Sequence, residues 1–147
     1  MLNKILHNKR KFLILILLLF LLIGIRAFEN QLFYDPFLLY FEGDYAKKSL
    51  PEFNSFWLFL GMSLRFFLNA IVSLGILYCL FEDKEMIHFA SILYCLFFVV
   101  LIAGFFSIVC FFENQNNLLL FYLRRFLIQP IFIILFIPAF YFQKLNK

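Results

Sequence analysis

The chain has 147 residues, of which 65% are hydrophobic and 15% are charged, and its formal net charge is +4. Soluble domains are about half apolar and about a quarter charged, so this composition excludes an ordinary soluble domain and indicates an integral membrane protein. The basic residues cluster at the two ends of the chain, which is typical of a topology signal and excludes nucleic acid as an expected partner.

The length allows four spanning helices of about 20 residues each with short loops. We therefore expect one membrane domain over residues 1–147. The first span is predicted at residues 11–28, where a basic segment precedes an apolar stretch. A cleaved secretory signal would end at a small-residue site, whereas this stretch runs into Arg26. We predict an uncleaved anchor whose basic end is cytoplasmic.

The outer loop is predicted at residues 29–54, because this segment holds five acidic residues and only two lysines. The segment is also strongly aromatic. Asp35, Pro36 and Gly43 occupy the positions of an N-cap, a first helical residue and a helix stop. We expect a short helix here that lies at the membrane interface or packs over the mouth of the bundle.

Three further spans are predicted at residues 56–80, 86–112 and 118–142, with Asn117 as the N-cap of the last. Alternation places the charged turn after the second span, and both chain termini, in the cytoplasm. The expected fold class is therefore all-α: an integral membrane bundle of four transmembrane helices with a short interfacial helix in the first outer loop. The expected location is therefore a membrane that the chain crosses several times.

Two prolines interrupt the fourth predicted span. Pro130 removes the hydrogen bond that the Phe126 carbonyl would accept in a continuous helix, so we expect a kink that leaves a free acceptor. Pro138 should repeat this effect nearer the inner end.

Arginines inside apolar runs are the main functional clue, because a charge at a helix centre costs about 2.5 to 3.5 kcal/mol on insertion scales. Four arginines lie in or against the apolar runs, and alternating spans bring all of them toward the outer side: Arg26, Arg65, Arg124 and Arg125. Arg65 and Asn69 share one helix face, and Gln129 lies one turn beyond Arg125. The predicted polar constellation comprises Arg26, Glu29, Asn30, Asp35, Arg65, Asn69, Arg124, Arg125 and Gln129.

Two interpretations of this constellation remain open. In the first, the arginines line a cationic cavity that opens outward and holds an acidic group of a partner or substrate. In the second, Glu29, Asp35 or Glu113 pair with the arginines inside the chain, and Asn69 and Gln129 connect helices. Arg26 alone fits the second interpretation, because an arginine at a helix end is ordinary.

No catalytic or metal-binding pattern is expected. The three cysteines lack metal-ligand spacing, and Cys79 and Cys95 are expected to be small buried hydrophobes. His88 and Cys110 would lie about 33 Å apart along one helix at about 1.5 Å per residue, too far for a nucleophile and its base. We therefore predict no enzyme activity, no cofactor and no metal.

Three stretches of the chain carry a family resemblance: RAFENQLFYDPF (26–37), LRFFLNAIVSLGILY (64–78) and LLLFYLRRFLIQPIFIILFIPAFYFQ (118–143). They resemble the small exosortase F system-associated membrane proteins, and the likeness covers nearly the whole chain. The resemblance implies a location in the bacterial inner membrane and partnership with an exosortase, a multi-span protease or transpeptidase thought to process C-terminal sorting tails. The cysteine, arginine and histidine set of exosortases has no matching geometry here, so the catalytic chemistry is not carried over.

The predicted function is that of a non-catalytic accessory protein that binds the exosortase or the sorting tail through the outer-leaflet arginines. An alternative is a small transporter or enzyme that binds an anionic lipid or a lipid-linked intermediate in the same cavity. A third is a structural subunit whose arginines only pair internally.

Overall fold

The computed structural model describes residues 8–45, 49–111 and 117–146, and the regular structure within these ranges is entirely helical. The predicted partner Glu113 lies outside them, as does Lys4. The seven described helices are α1 (Lys9–Ala27), α2 (Glu29–Leu32), α3 (Phe37–Glu42), α4 (Ser55–Phe81), α5 (Lys84–Phe111), α6 (Asn117–Ile128) and α7 (Ile131–Leu145).

The all-α prediction is confirmed, but the structure supports two or three spans and does not clearly show the predicted four. Among the described residues, α4 and α5 are long and apolar enough to cross a membrane, and α6 with α7 makes a third span if the bent pair is counted as one. Helix α1 carries basic residues at both ends, and only the stretch from Phe12 to Ile25 is uncharged. That stretch is short for a span by itself.

Helix α4 is the centre of the bundle, because it packs against α1, α5, α6 and α7. Its buried side chains include Leu58, Met62, Phe66 and Leu77. Helix α1, in contrast, buries none of its side chains completely and contacts the core through one partly buried leucine face. Much of the apolar surface of α1 and α5 is exposed, as expected for helices that face lipid.

Side-chain caps define the turn between α4 and α5. Asp83 Oδ1 accepts hydrogen bonds from the backbone N–H groups of Glu85 and Met86, at 3.0 and 3.3 Å. Lys11 forms an ion pair with Glu82 in this turn, and the Lys144 ammonium donates to the Phe81 carbonyl at 2.7 Å. The beginning of α1 and the end of α7 therefore lie at the same end of the bundle.

The break between α6 and α7 confirms the kink predicted at Pro130, and the two helices are bent by 63°. Asn69 on α4 supports the break, because its Nδ2 donates to the Ile128 carbonyl at 3.0 Å. Asn69 therefore connects two helices. Pro138 lies inside α7, which continues to Leu145, so the second expected interruption does not divide the helix.

Residues 29–45, which we name the cap segment, cover the other end of the bundle. Phe37 is fully buried and packs edge-on against Phe105 of α5, with ring centroids 5.6 Å apart. The Tyr34 backbone approaches α4 so closely that a Cβ on Gly61 would lie 2.7 Å from the Tyr34 carbonyl oxygen. Gly61 thus permits the cap segment to dock. Gly43 ends α3, as predicted.

Candidate functional site

A buried arginine–carboxylate contact joins the cap segment to α6. Arg124 Nη2 donates to Asp35 Oδ2 at 2.6 Å, and Arg124 Nε lies 3.1 Å from the same oxygen. Arg124 is only 5% exposed. The predicted N-cap role of Asp35 is wrong: no side chain caps α3, because the Asp35 carboxylate binds the arginine instead.

Arg65 of α4 forms a second ionic contact with the same segment. Its Nη2 donates to Glu29 Oε2, and its Nη1 lies 3.8 Å from Asp35 Oδ2. Arg65 is 2% exposed. Asp35 therefore lies between two arginines, and the four charged groups Glu29, Asp35, Arg65 and Arg124 balance. We name these four residues the charge cluster.

Two aromatic rings complete the surroundings of the charge cluster. The Arg65 guanidinium lies 5.8 Å from the centroid of the Phe33 ring, and the Arg124 guanidinium lies 5.7 Å from that of Phe41. Cation–π contacts of this kind contribute more when water is excluded. Removing one partner of a buried ion pair costs about 3 to 5 kcal/mol, so each member of the cluster depends on the others.

This geometry distinguishes between the two arginines that adjoin in sequence. Arg124 is buried in the charge cluster, whereas Arg125 is exposed and donates from its Nε to Gln129 Oε1 at 3.1 Å along the same helix. Arg65 and Arg124 thus follow the internal-pairing interpretation. Arg125 and Gln129 form a local pair outside the cluster.

Two residues of the predicted constellation, Arg26 and Asn30, make no ionic contact with the charge cluster. Arg26, at the end of α1, is exposed, and its side chain has no hydrogen bond or ion pair with any residue in the described ranges. Asn30 of α2 is also exposed and lines a cavity of about 570 Å³ between the cap segment and Arg65.

A second cavity, of about 360 Å³, lies on the α1 side of Arg65. It is bounded by the end of α1, the middle of α4 and the break at Pro130. Arg65 lines both cavities. Its Nε and Nη1 have no hydrogen-bond partner among the residues described. Leaving a buried donor unsatisfied costs about 1 to 3 kcal/mol, and more if the group is charged.

Residues that the sequence did not identify also build the site. Gly61 lets the cap segment approach, and Phe33 and Phe41 provide the ring faces. A glycine inside an apolar helix pattern is a recognisable sign of close backbone approach. Nothing in an aromatic-rich loop, however, indicates which ring will face a cation.

Potential metal ligands and thiols can be located within the described residues. No group of three or more His, Cys, Asp and Glu side chains lies close enough there to hold a metal ion. The three cysteines are free thiols; Cys79 is half-buried, while Cys95 and Cys110 are exposed. The expectation that Cys95 is buried is wrong, because its helix turns that position away from the core.

Burial raises the pKa of Tyr40 in the cap segment. Its hydroxyl donates to the Tyr45 carbonyl at 3.2 Å, and Asn117 Nδ2 donates to the same carbonyl at 2.8 Å. Asn117 is the first residue of α6, so this bond attaches the end of the cap segment to that helix.

No family model, curated protein or solved structure matches this chain. The resemblance to exosortase F system-associated proteins therefore stays a prediction. The geometry of the charge cluster, the cap segment and the cavities supplies the basis for the functional proposals that follow.

Proposed function

We propose that this chain is a non-catalytic accessory protein of an exosortase-type sorting system in the bacterial inner membrane, and that it presents the cap segment to its partner. The proposed topology has four spans and cytoplasmic termini. The bent α6–α7 pair would then be one span. Helix α1 would be another, since lysine and arginine side chains at helix ends can extend to the membrane interface.

The docking of the cap segment is the observation that carries this proposal. Two buried arginines, their partly buried partners Glu29 and Asp35, and Phe37 hold a short segment against the end of the bundle. The opposite face of that segment is apolar and exposed: Leu39 is 75% exposed and Leu32 is 59% exposed. Holding a segment in one conformation lowers the entropy lost on binding, so this arrangement suits a preorganised contact surface.

The arginines have an indirect role in this proposal. Arg65 and Arg124 already bind carboxylates of their own chain, so they position the cap segment and do not themselves contact the partner. The choice of an exosortase or its sorting tail as the partner rests on the sequence resemblance alone. The non-catalytic role is consistent with a charge cluster whose acids and bases bind each other.

The experiment is copurification of the tagged protein from detergent-solubilised membranes of its native cell, with mass spectrometry of the bound proteins. Leu32→Ser combined with Leu39→Ser should reduce recovery of the exosortase about tenfold or more, which corresponds to about 1.4 kcal/mol of lost contact. Phe142→Ser is the matched control, because Phe142 is an exposed apolar residue at the opposite end of the bundle.

Wild-type recovery of the exosortase with the cap variant, or equal losses with the cap and control variants, would contradict the proposed surface. Absence of an exosortase from every wild-type preparation would contradict the partner.

A further inference from the structure

The cavity on the α1 side of Arg65 has the size and lining of a ligand site. Its volume of about 360 Å³ falls within the range of about 300 to 1,000 Å³ that small-molecule pockets occupy. Its lining is mostly apolar, and its polar members are Arg26, Arg65 and Asn69. The lining residues are Leu22, Ile23, Ile25, Arg26, Ala27, Arg65, Asn69, Ile128 and Pro130.

Arg65, one of the polar residues of this cavity, has donors that lack hydrogen-bond acceptors. Arg65 is almost fully buried, and its Nε and Nη1 make no hydrogen bond with the described part of the chain. Asn69 Nδ2 is a donor and is bonded to the Ile128 carbonyl, so it adds no acceptor for Arg65. A buried guanidinium with free N–H groups is best satisfied by an anionic oxygen.

The local charge also favours an anion. The charge cluster is balanced, but Arg26 lines the same cavity and has no ion pair within the described residues. Arg26 therefore adds one unbalanced positive charge beside Arg65. A singly charged group between these two arginines would restore neutrality and accept hydrogen bonds from both.

We propose that this cavity binds an anionic lipid, with its phosphate between Arg26 and Arg65 and an acyl chain along Leu22 and Ile23. A lipid fits better than a free phosphate, because the apolar walls would cover an acyl chain but offer no hydrogen bonds to a free ion. Ile128 and Pro130, at the break between α6 and α7, also line the cavity. This site is separate from the exposed face of the cap segment and does not depend on the proposed sorting partner.

The test uses the purified full-length protein in a neutral detergent. Native mass spectrometry follows titration with phosphatidylglycerol, with phosphatidylethanolamine of identical chains, and with inorganic phosphate. We expect phosphatidylglycerol to bind with one-to-one stoichiometry, about tenfold or more tightly than phosphatidylethanolamine, the factor that a single charge-assisted hydrogen bond can supply. Inorganic phosphate at the same concentration should not bind.

Arg26→Gln is the informative variant, because Arg26 pairs with no described residue and its loss should leave the fold intact. It should weaken phosphatidylglycerol binding about tenfold or more. Arg125→Gln is the matched control: it removes the same charge from an exposed arginine that does not line the cavity, and we expect wild-type binding. Ala27→Phe should also abolish binding by filling the cavity without changing charge.

Four results would overturn the proposal. Equal affinity for the two phospholipids would remove the role of the anionic headgroup. Equal losses with Arg26→Gln and Arg125→Gln would indicate general charge attraction. Tight binding of inorganic phosphate would identify an ion site, and full binding by Ala27→Phe would place the lipid elsewhere. Circular dichroism of each variant confirms that the helices are retained.

Discussion

Asp35 and Arg124 are 89 positions apart in sequence, yet Arg124 Nη2 lies 2.6 Å from Asp35 Oδ2 in a buried contact. Asp35 also faces Arg65 of α4 at 3.8 Å. One carboxylate in a loop therefore connects two helices of the bundle. The cap segment keeps its position through this carboxylate and the neighbouring Glu29, together with the buried Phe37.

The first prediction concerns the loss of that carboxylate charge. Asp35→Asn would leave Arg124 buried without an ionised partner, and breaking a buried pair in this way costs about 3 to 5 kcal/mol. We expect a clearly lower thermal unfolding midpoint in detergent, measured by intrinsic tryptophan and tyrosine fluorescence.

Glu42→Gln serves as the control for Asp35→Asn, because it removes one negative charge from the same segment at an exposed position. The double variant Asp35→Leu with Arg124→Met should recover much of the lost stability, since apolar residues of similar volume often replace a buried pair without loss. Equal midpoints for Asp35→Asn and Glu42→Gln would show that the contact does not stabilise the fold.

The helices of this chain were largely predictable, because apolar runs, capping residues and prolines act locally. The break at Pro130 and the end of α3 at Gly43 follow from backbone chemistry alone. The number of spans was harder to predict, because basic residues at both ends of α1 leave it only a short uncharged stretch. Local patterns do not determine whether such a helix crosses a bilayer.

The charge pairing was only partly predictable. Sequence spacing placed Arg65 and Asn69 on one face, but it gave no information on which acid each arginine would meet. Arg124 and Arg125 point about 100° apart on an ideal helix, and the packing of α6 against α4 and α5 decides that Arg124 faces inward. Such decisions depend on tertiary packing that periodicity does not encode.

The second prediction concerns the close approach of Tyr34 to α4. Gly61→Ala would place a methyl group 2.7 Å from the Tyr34 carbonyl oxygen, so the cap segment must move away from the helix. We expect faster cleavage of this segment in limited proteolysis, monitored by mass spectrometry.

Gly24→Ala is the matched control for Gly61→Ala, because a Cβ at Gly24 meets no atom within 4 Å. Alanine should even favour the helix there by about 0.5 to 1 kcal/mol. If Gly61→Ala and Gly24→Ala leave the cleavage rate equally unchanged, the cap segment does not depend on this contact.

The third prediction concerns the hydrogen bond that supports the break between α6 and α7. Asn69→Leu removes the donor to the Ile128 carbonyl and should reduce stability by about 0.6 to 2 kcal/mol, the range measured for polar contacts between membrane helices. Thermal unfolding in detergent measures the effect. Asn30→Leu is the control at an exposed asparagine, and an equal shift in both variants would argue against a specific role for Asn69.

The fourth prediction concerns the arrangement of the chain across the membrane. Lys144 contacts Phe81, the last residue of α4, and Lys11 contacts Glu82 in the turn that follows. The cap segment covers the opposite end of the bundle, so these two ends should face opposite sides of the bilayer. In a background with all three cysteines replaced by alanine, Glu42→Cys should react with a membrane-impermeant maleimide in intact spheroplasts. Glu85→Cys, at the start of α5, should react only after permeabilisation. The reverse pattern would invert the proposed topology, and labelling of both sites in intact spheroplasts would show that α4 does not cross the membrane.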